Sequence, residues 1–319
     1  MSERLRGSLA RETRGEIRLL WRSFVLPAVL VLCALLAITN VVNAAGMTRS
    51  DYALLQHTRS EYAANHMNFL ADLHRPATIK TSGDGETVSN LARYDYDTLA
   101  TDIVNLSPAS SVAETLKYLG FVLFPAVFFM LGLWMSIGQR RYCLEKVKLV
   151  RVGTAGTLAS RQLALLVVSA IVIAVTLAVD VVGRAIAQAV VSSQLPLHVF
   201  VPLAAAPVQN PALQWSVILI ATVFFGAAGL AVGAFAGIFA LPAILFVIWD
   251  YVVPILGLHD PRNWFEVLGH SVFTYSSAFQ LAPPIPLSEP IAFVAASACS
   301  IALVAVGYVG MRVRNPRAT

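Results

Sequence analysis

The sequence predicts an all-α integral membrane protein with six transmembrane helices, an N-terminal amphipathic interfacial helix and an extracellular helical hairpin between spans 1 and 2. Three observations carry that expectation. Hydrophobic residues make up 57% of the chain and charged ones only 13%. Several apolar runs reach or exceed the roughly 18 residues needed to cross a bilayer. The Lys and Arg residues gather in three segments beside those runs, as cytoplasmic flanks do. A chain of 319 residues divided this way leaves no room for a separate soluble catalytic domain of about 100–150 residues.

Residues 1–23 hold six Arg against three Glu, with Ile17, Leu19, Leu20 and Trp21 gathered near the end. This is the pattern of an interfacial helix leading into the membrane. The rest, 24–319, reads as one six-span domain. Its first apolar run, Phe24 to Val42, has 19 residues. That exceeds the 7–15 of a secretory signal, so an uncleaved span is expected. Residues 46–114 reverse the sign, with nine acids against five Lys or Arg, which places the loop 46–117 outside. Tyr52, Leu55, Arg59, Tyr62, His66, Phe69 and Leu73 recur at steps of three and four, predicting one outer helix. "RPATIKTSGDGET" reads as a turn, and 88–106 as a second, shorter helix.

Tyr118 to Gly138 is the second expected span, and Leu163 to about Val191 the third. From Trp215 to Trp249 run 35 residues without a charged side chain. As one helix they would be about 52 Å long against a hydrocarbon core near 30 Å, so two spans are expected, folding back near "GIFALP". Gly229, Gly233 and Gly237, four residues apart, suit close helix packing. Residues 258–290 are too polar and proline-rich for a span, and "NWFEVLGHSVFTYSSAFQL" reads as an interfacial or re-entrant helix. Ile291 to Met311 is the sixth span. The expected inside segments hold fifteen Lys and Arg and the outside segments seven, so a multi-pass protein of the cytoplasmic membrane with both termini in the cytoplasm follows.

The same topology explains the net charge of +5 without nucleic acid. No G-x-x-x-x-G-K-[ST] phosphate loop, H-E-x-x-H or G-x-S-x-G occurs, so no ATP hydrolysis, metal or cofactor chemistry is expected of this chain. Cys33, Cys143 and Cys299 are isolated thiols, and the spacings of His57, His66 and His74 match no standard metal site. Three ionisable residues fall in apolar runs, where a central charge is costly. Asp180 and Arg184 are expected near the outer end of the third span, as an i,i+4 ion pair. Asp250 is expected about 12–18 Å into the fifth, the better candidate for a residue lining a transport path.

The segment 139–161 between spans two and three remains. "QRRYCLEKVKLVRVGTAGTLASRQL" carries six Lys and Arg and one acid, and its length exceeds a tight hairpin. Its charges alternate with Tyr142, Leu144, Val147, Leu149, Val150 and Val152, and Gly153 and Gly156 follow. A short amphipathic helix presenting a surface to a soluble partner fits that pattern. With its basic entry helix, six spans and irregular outer segment before the last, the chain resembles the membrane subunits of ABC-2 type ATP-binding-cassette exporters. Glu145, Lys146, Lys148, Leu149, Val150, Arg151 and Arg161 stand where that family's loop carries an acid, basic and apolar residues and the basic head of the third span. Gly153 and Thr154 replace the usual proline region.

The resemblance implies a permease that pairs with a second copy or paralogue in membrane lipid and moves a lipid, peptide or amphipathic drug outward. A separate ATPase subunit would hold ATP and Mg, with Glu145, Lys146, Lys148, Arg151 and Gly153 coupling to it and the entry helix (Arg14, Arg18, Trp21) lying along the inner leaflet. Two other classes stay open: a secondary transporter, for which matching halves and discontinuous helices with midplane acids are expected, and a sensor or assembly scaffold using the outer loop.

Overall fold

The computed structural model describes residues 3–82, 85–141, 144–200, 210–274, 281 and 283–314. It is all-α apart from one small ribbon. Helix α1, Glu3–Arg22, stops where Phe24 adopts a left-handed conformation (φ 60°), and α2, Val25–Ala64, begins at the next residue. α2 is one unbroken helix of 40 residues, about 60 Å long. The expected first span and the first part of the expected outer helix are therefore a single rod. The change from apolar to charged sequence near residue 46 alters the solvent a helix prefers without breaking its backbone hydrogen bonds. The predicted stripe does not continue to Leu73. The chain turns at Asn65 and His66 (φ 54°), and a separate five-residue helix, α3, covers Phe69–Leu73.

The expected turn after α3 contains a two-stranded antiparallel ribbon, β1 Ile79–Ser82 and β2 Gly85–Val88, in register Ile79 with Val88. Helix α4, Leu91–Leu106, then packs back on the far half of α2. Thr58 Oγ1 donates to Asp95 Oδ2 at 2.6 Å across that contact.

The expected second span is a bent pair, α5 Ser111–Val122 and α6 Phe124–Arg141, turning by 55°. Pro125 falls in the first turn of α6, where its missing N–H costs nothing. Helix α7, Leu144–Gln194, contains one break, at Gly153 (φ 72°, ψ 175°). A short helix, 144–152, is thereby set apart from a long one, 154–194. α8, Pro211–Phe235, starts on the Asn210 side chain, which accepts from the Ala212 and Leu213 amides. The fold-back lies at 236–239, as "GIFALP" predicts, and α9 covers Ala240–Tyr251. α10, Pro261–Val272, and α11, Glu289–Arg314, complete the bundle.

Among the described residues four helices are long and apolar enough to cross a membrane, α2, α7, α8 and α11, and the bent α5–α6 pair makes a fifth candidate. Only 22% of the apolar window of α2 and 17% of that of α11 is buried within the chain. Exposed faces such as Val31, Leu35, Ile38 and Val42 suit a hydrocarbon solvent rather than water. The tightest packing is between α6 and α8, where Gly132 lies against the Gly226 carbonyl, Gly229 against the Phe129 carbonyl and Gly233 against Ser136. Gly229 and Gly233 thus do what their spacing predicts. Gly237 faces open space, because the helix has already ended.

Candidate functional site

At the α1 end of the bundle the break at Gly153 swings the 144–152 helix against α1, and a buried polar hub results. Glu12 and Glu16 lie on the inward stripe of α1 with Leu20, four residues apart, all buried. Glu16 accepts from Lys148 Nζ at 2.7 Å and from the Gln139 side-chain amide. Arg161, fully buried, donates to Gln139 Oε1 at 3.1 Å and pairs with Glu145 at 3.5 Å and with Glu16 at 3.8 Å. Its guanidinium also meets Met311 Sδ of α11 at 3.4 Å. Arg151 pairs with Glu12 at 3.2 Å. Three acids and three bases balance, and that balance is what lets such a cluster leave water.

This geometry changes how the expected coupling residues are read. Glu145 is buried and turned toward Arg161 rather than outward, Lys148 reaches inward to Glu16, and Arg151 links the short helix to α1 while part of its side chain stays in solvent. Beside Arg151 the short helix presents two valines outward: Val147 is 57% and Val150 85% exposed. Gly153 supplies the break, with a backbone angle that an L side chain rarely adopts. Tyr142, Cys143 and the side chain of Lys146 lie outside the described residues. Arg14, Arg18 and Trp21 are all exposed on the opposite face of α1, as an interfacial helix requires.

Asp180 and Arg184 form the expected i,i+4 pair, at 2.7 Å, and both are buried. Arg184 also donates to the Asn105 carbonyl of α4, a contact the periodicity of α7 alone does not reveal. Asp250 sits in the last turn of α9, beside a break. Arg262 donates to the carbonyls of Trp249 (2.5 Å), Val253 (2.7 Å) and Pro254 (3.0 Å), capping the negative end of α9. Asp260 caps the positive end of α10 through the Arg262 amide and pairs with the Arg262 guanidinium at 2.7 Å. Asp250 and Glu266 line a cavity of about 90 Å³ with Phe121 and Phe225, and each has a carboxylate oxygen without a hydrogen-bond partner among the described residues.

At the opposite end, on the α2–α4 hairpin, burial raises the Asp95 carboxyl above its ordinary value despite the Thr58 bond. Asp102 is pushed up to about 8 by burial first, then by hydrogen bonding to and repulsion from Asp51 and by Glu114. Facing it are Asp51 from α2, Glu114 and Tyr118 from α5 and Arg184 from α7, with Lys117 and Asp180 held by Glu114 and Arg184. The folded carboxyl keeps a proton that the unfolded chain releases near pH 3.8. Its stabilising contribution is therefore complete below about pH 4 and is lost as the pH rises toward 8. Limited proteolysis should cut the hairpin faster at pH 9 than at pH 5, and D102N should flatten that difference. Equal cutting of the unmodified protein at both pH values would refute the assignment.

No family model, curated protein or solved structure matches this chain. Sequence reasoning named Glu145, Lys148, Arg151, Asp180, Arg184 and Asp250. It missed the acidic stripe of α1, Gln139, the Asp260–Arg262 cap and Glu266. Glu12 and Glu16 were visible as the only acids at helical spacing in a basic segment, which is the available signal for an inward-facing stripe.

Proposed function

We propose that this chain is the membrane permease subunit of an ATP-driven exporter, which uses a separate ATPase to move a lipid, peptide or amphipathic drug across the cytoplasmic membrane. The observation that carries the reading is the short helix 144–152. It exposes Val147 and Val150 while Glu145, Lys148 and Arg151 are tied to α1, α6 and the long part of α7. Exposed apolar side chains on a helix so anchored suit a groove on a soluble partner, and rigid ion pairs behind them suit transmission of its movement. Closure of the ATPase would then favour one arrangement of a permease dimer and opening the other.

On this reading both termini and the polar hub are cytoplasmic, and the α2–α4 hairpin is outside. The fifth crossing is a broken one. α9 and α10 have 12 residues each, about 18 Å apiece, and together match the roughly 37 Å of α8. The capped break carries Asp250 and Arg262. A half-helix pair with an acid at its break is also what a secondary transporter would use, and this feature is what favours that second reading.

Val147→Asp with Val150→Asp separates the two. Both side chains are exposed, so stability should change by no more than about 0.5 kcal/mol per site, while association with the ATPase is expected to fall at least tenfold. Co-purification from native membranes, with a thermal unfolding control, measures both. Full retention of the ATPase by the folded double variant, or no ATPase bound to the unmodified protein, would overturn the proposal.

A further inference from the structure

We propose that the cavity between α2, α4, α5 and α7 binds a protonated primary amine with an oxygen acceptor on the adjoining carbons. This is the chemistry of an ethanolamine lipid headgroup or of a free amino alcohol. The cavity is about 180 Å³ and is lined by Asn40, Asp102, Asn105, Glu114, Tyr118 and Arg184 among others. That is room for about six waters, or for a two-carbon amine with its oxygen.

Charge and hydrogen-bond inventory together specify the ligand. Glu114 is neutralised by Lys117 at 2.9 Å and Arg184 by Asp180 at 2.7 Å. Asp102 is different. It is 9% exposed, its nearest titratable neighbour is another acid, Asp51, and its Oδ2 has no partner among the described residues. A buried acceptor in that state calls for a donor, and a cationic one forms the stronger bond. Two donors without a partner among the described residues line the same cavity, the amide nitrogens of Asn40 and Asn105. They call for an acceptor within a few ångströms of the cation. A metal ion satisfies Asp102 but leaves both amides unpaired, whereas an ammonium next to a hydroxyl or phosphate oxygen satisfies all three.

Without ligand, the proton held between Asp51 and Asp102 stands in for the missing cation. When the ammonium binds, that proton leaves to solvent, so binding and proton release are linked. This inference does not depend on the ATPase reading, since it concerns the opposite end of the bundle.

The test uses the full chain. In detergent, ethanolamine is titrated by calorimetry in two buffers of different ionisation enthalpy near pH 7. In nanodiscs, phosphatidylethanolamine is compared with phosphatidylcholine by thermal unfolding. Saturable ethanolamine binding with proton release identifies a soluble ligand, and stabilisation by phosphatidylethanolamine alone identifies the lipid. Choline should fail to compete because its ammonium has no N–H to donate. D102N should weaken binding about tenfold or more, and N105A several-fold. If D102N does not fold, N105A decides, because the unpartnered amide nitrogen of Asn105 makes no bond to lose. Absence of binding in both formats, or affinities unchanged in the folded variants, would overturn the proposal and leave the cavity to water.

Discussion

Arg161→Met is expected to destabilise the protein by about 3–5 kcal/mol, one of the two largest effects anticipated here. Arg161 is fully buried and faces Glu16 and Glu145 at once. Methionine fills much of the volume but takes the guanidinium away from two buried carboxylates, Glu16 and Glu145, and Gln139 Oε1 loses one of its donors. The cost arises from those stranded groups rather than from the lost attraction. Adding Glu145→Gln to Arg161→Met should therefore recover most of the loss, since it leaves the balanced pairs Glu16–Lys148 and Glu12–Arg151. Arg161→Lys should fall between, keeping the charge but not the planar fork that reaches Gln139 and Glu145 together. Thermal unfolding of the purified protein in detergent reads the series. A single Arg161→Met variant as stable as the unmodified protein would show that the hub does not hold α1 and the short helix in place.

The same hub shows what could be read from the sequence and what could not. Local signals were legible: the apolar runs of α2, α7, α8 and α11, the fold-back near Pro242, the amphipathic α1, and the i,i+4 relation of Asp180 to Arg184. The short helix before Gly153 was legible too, because a glycine behind an amphipathic run marks an end. Its orientation was not. Lys148 finds Glu16 across 132 residues of chain, and no periodicity within 139–161 says whether its charges or its valines face outward. The β ribbon escaped for a different reason. Strands of four residues flanking "GDG" look like a turn when read singly, and only pairing makes them strands. The continuity of α2 was hidden because a polarity change resembles a boundary, although Gly46, facing open space, was the sole helix-weakening residue there.

Gly229→Val is expected to do comparable damage by a mechanism that involves no charge. A Cβ at Gly229 would overlap the Phe129 carbonyl oxygen and stand 2.8 Å from the Leu133 amide nitrogen. Gly132 is related reciprocally to the Gly226 carbonyl and the Leu230 amide. The obstacles are backbone atoms, which cannot rotate away, so any side chain must drive α6 and α8 apart. Gly229→Ala should cost about 1–3 kcal/mol and Gly229→Val more. The expected readout is loss of monodisperse protein on extraction and a lower unfolding midpoint. Gly237→Ala is the control, because a Cβ there meets nothing within 4 Å and the residue lies outside the helix; it should be neutral. Equal behaviour of the Gly229 and Gly237 variants would mean that α6 and α8 are not packed backbone to backbone. The consequence extends beyond stability. Gln139 lies seven residues, about 10 Å, beyond Gly132 along α6, so a wedge at Gly229 also shifts the amide that bridges Glu16, Lys148 and Arg161. A Gly229→Ala variant that still folds should therefore loosen α1 and the short helix, making this buried glycine a control point for the exposed valines.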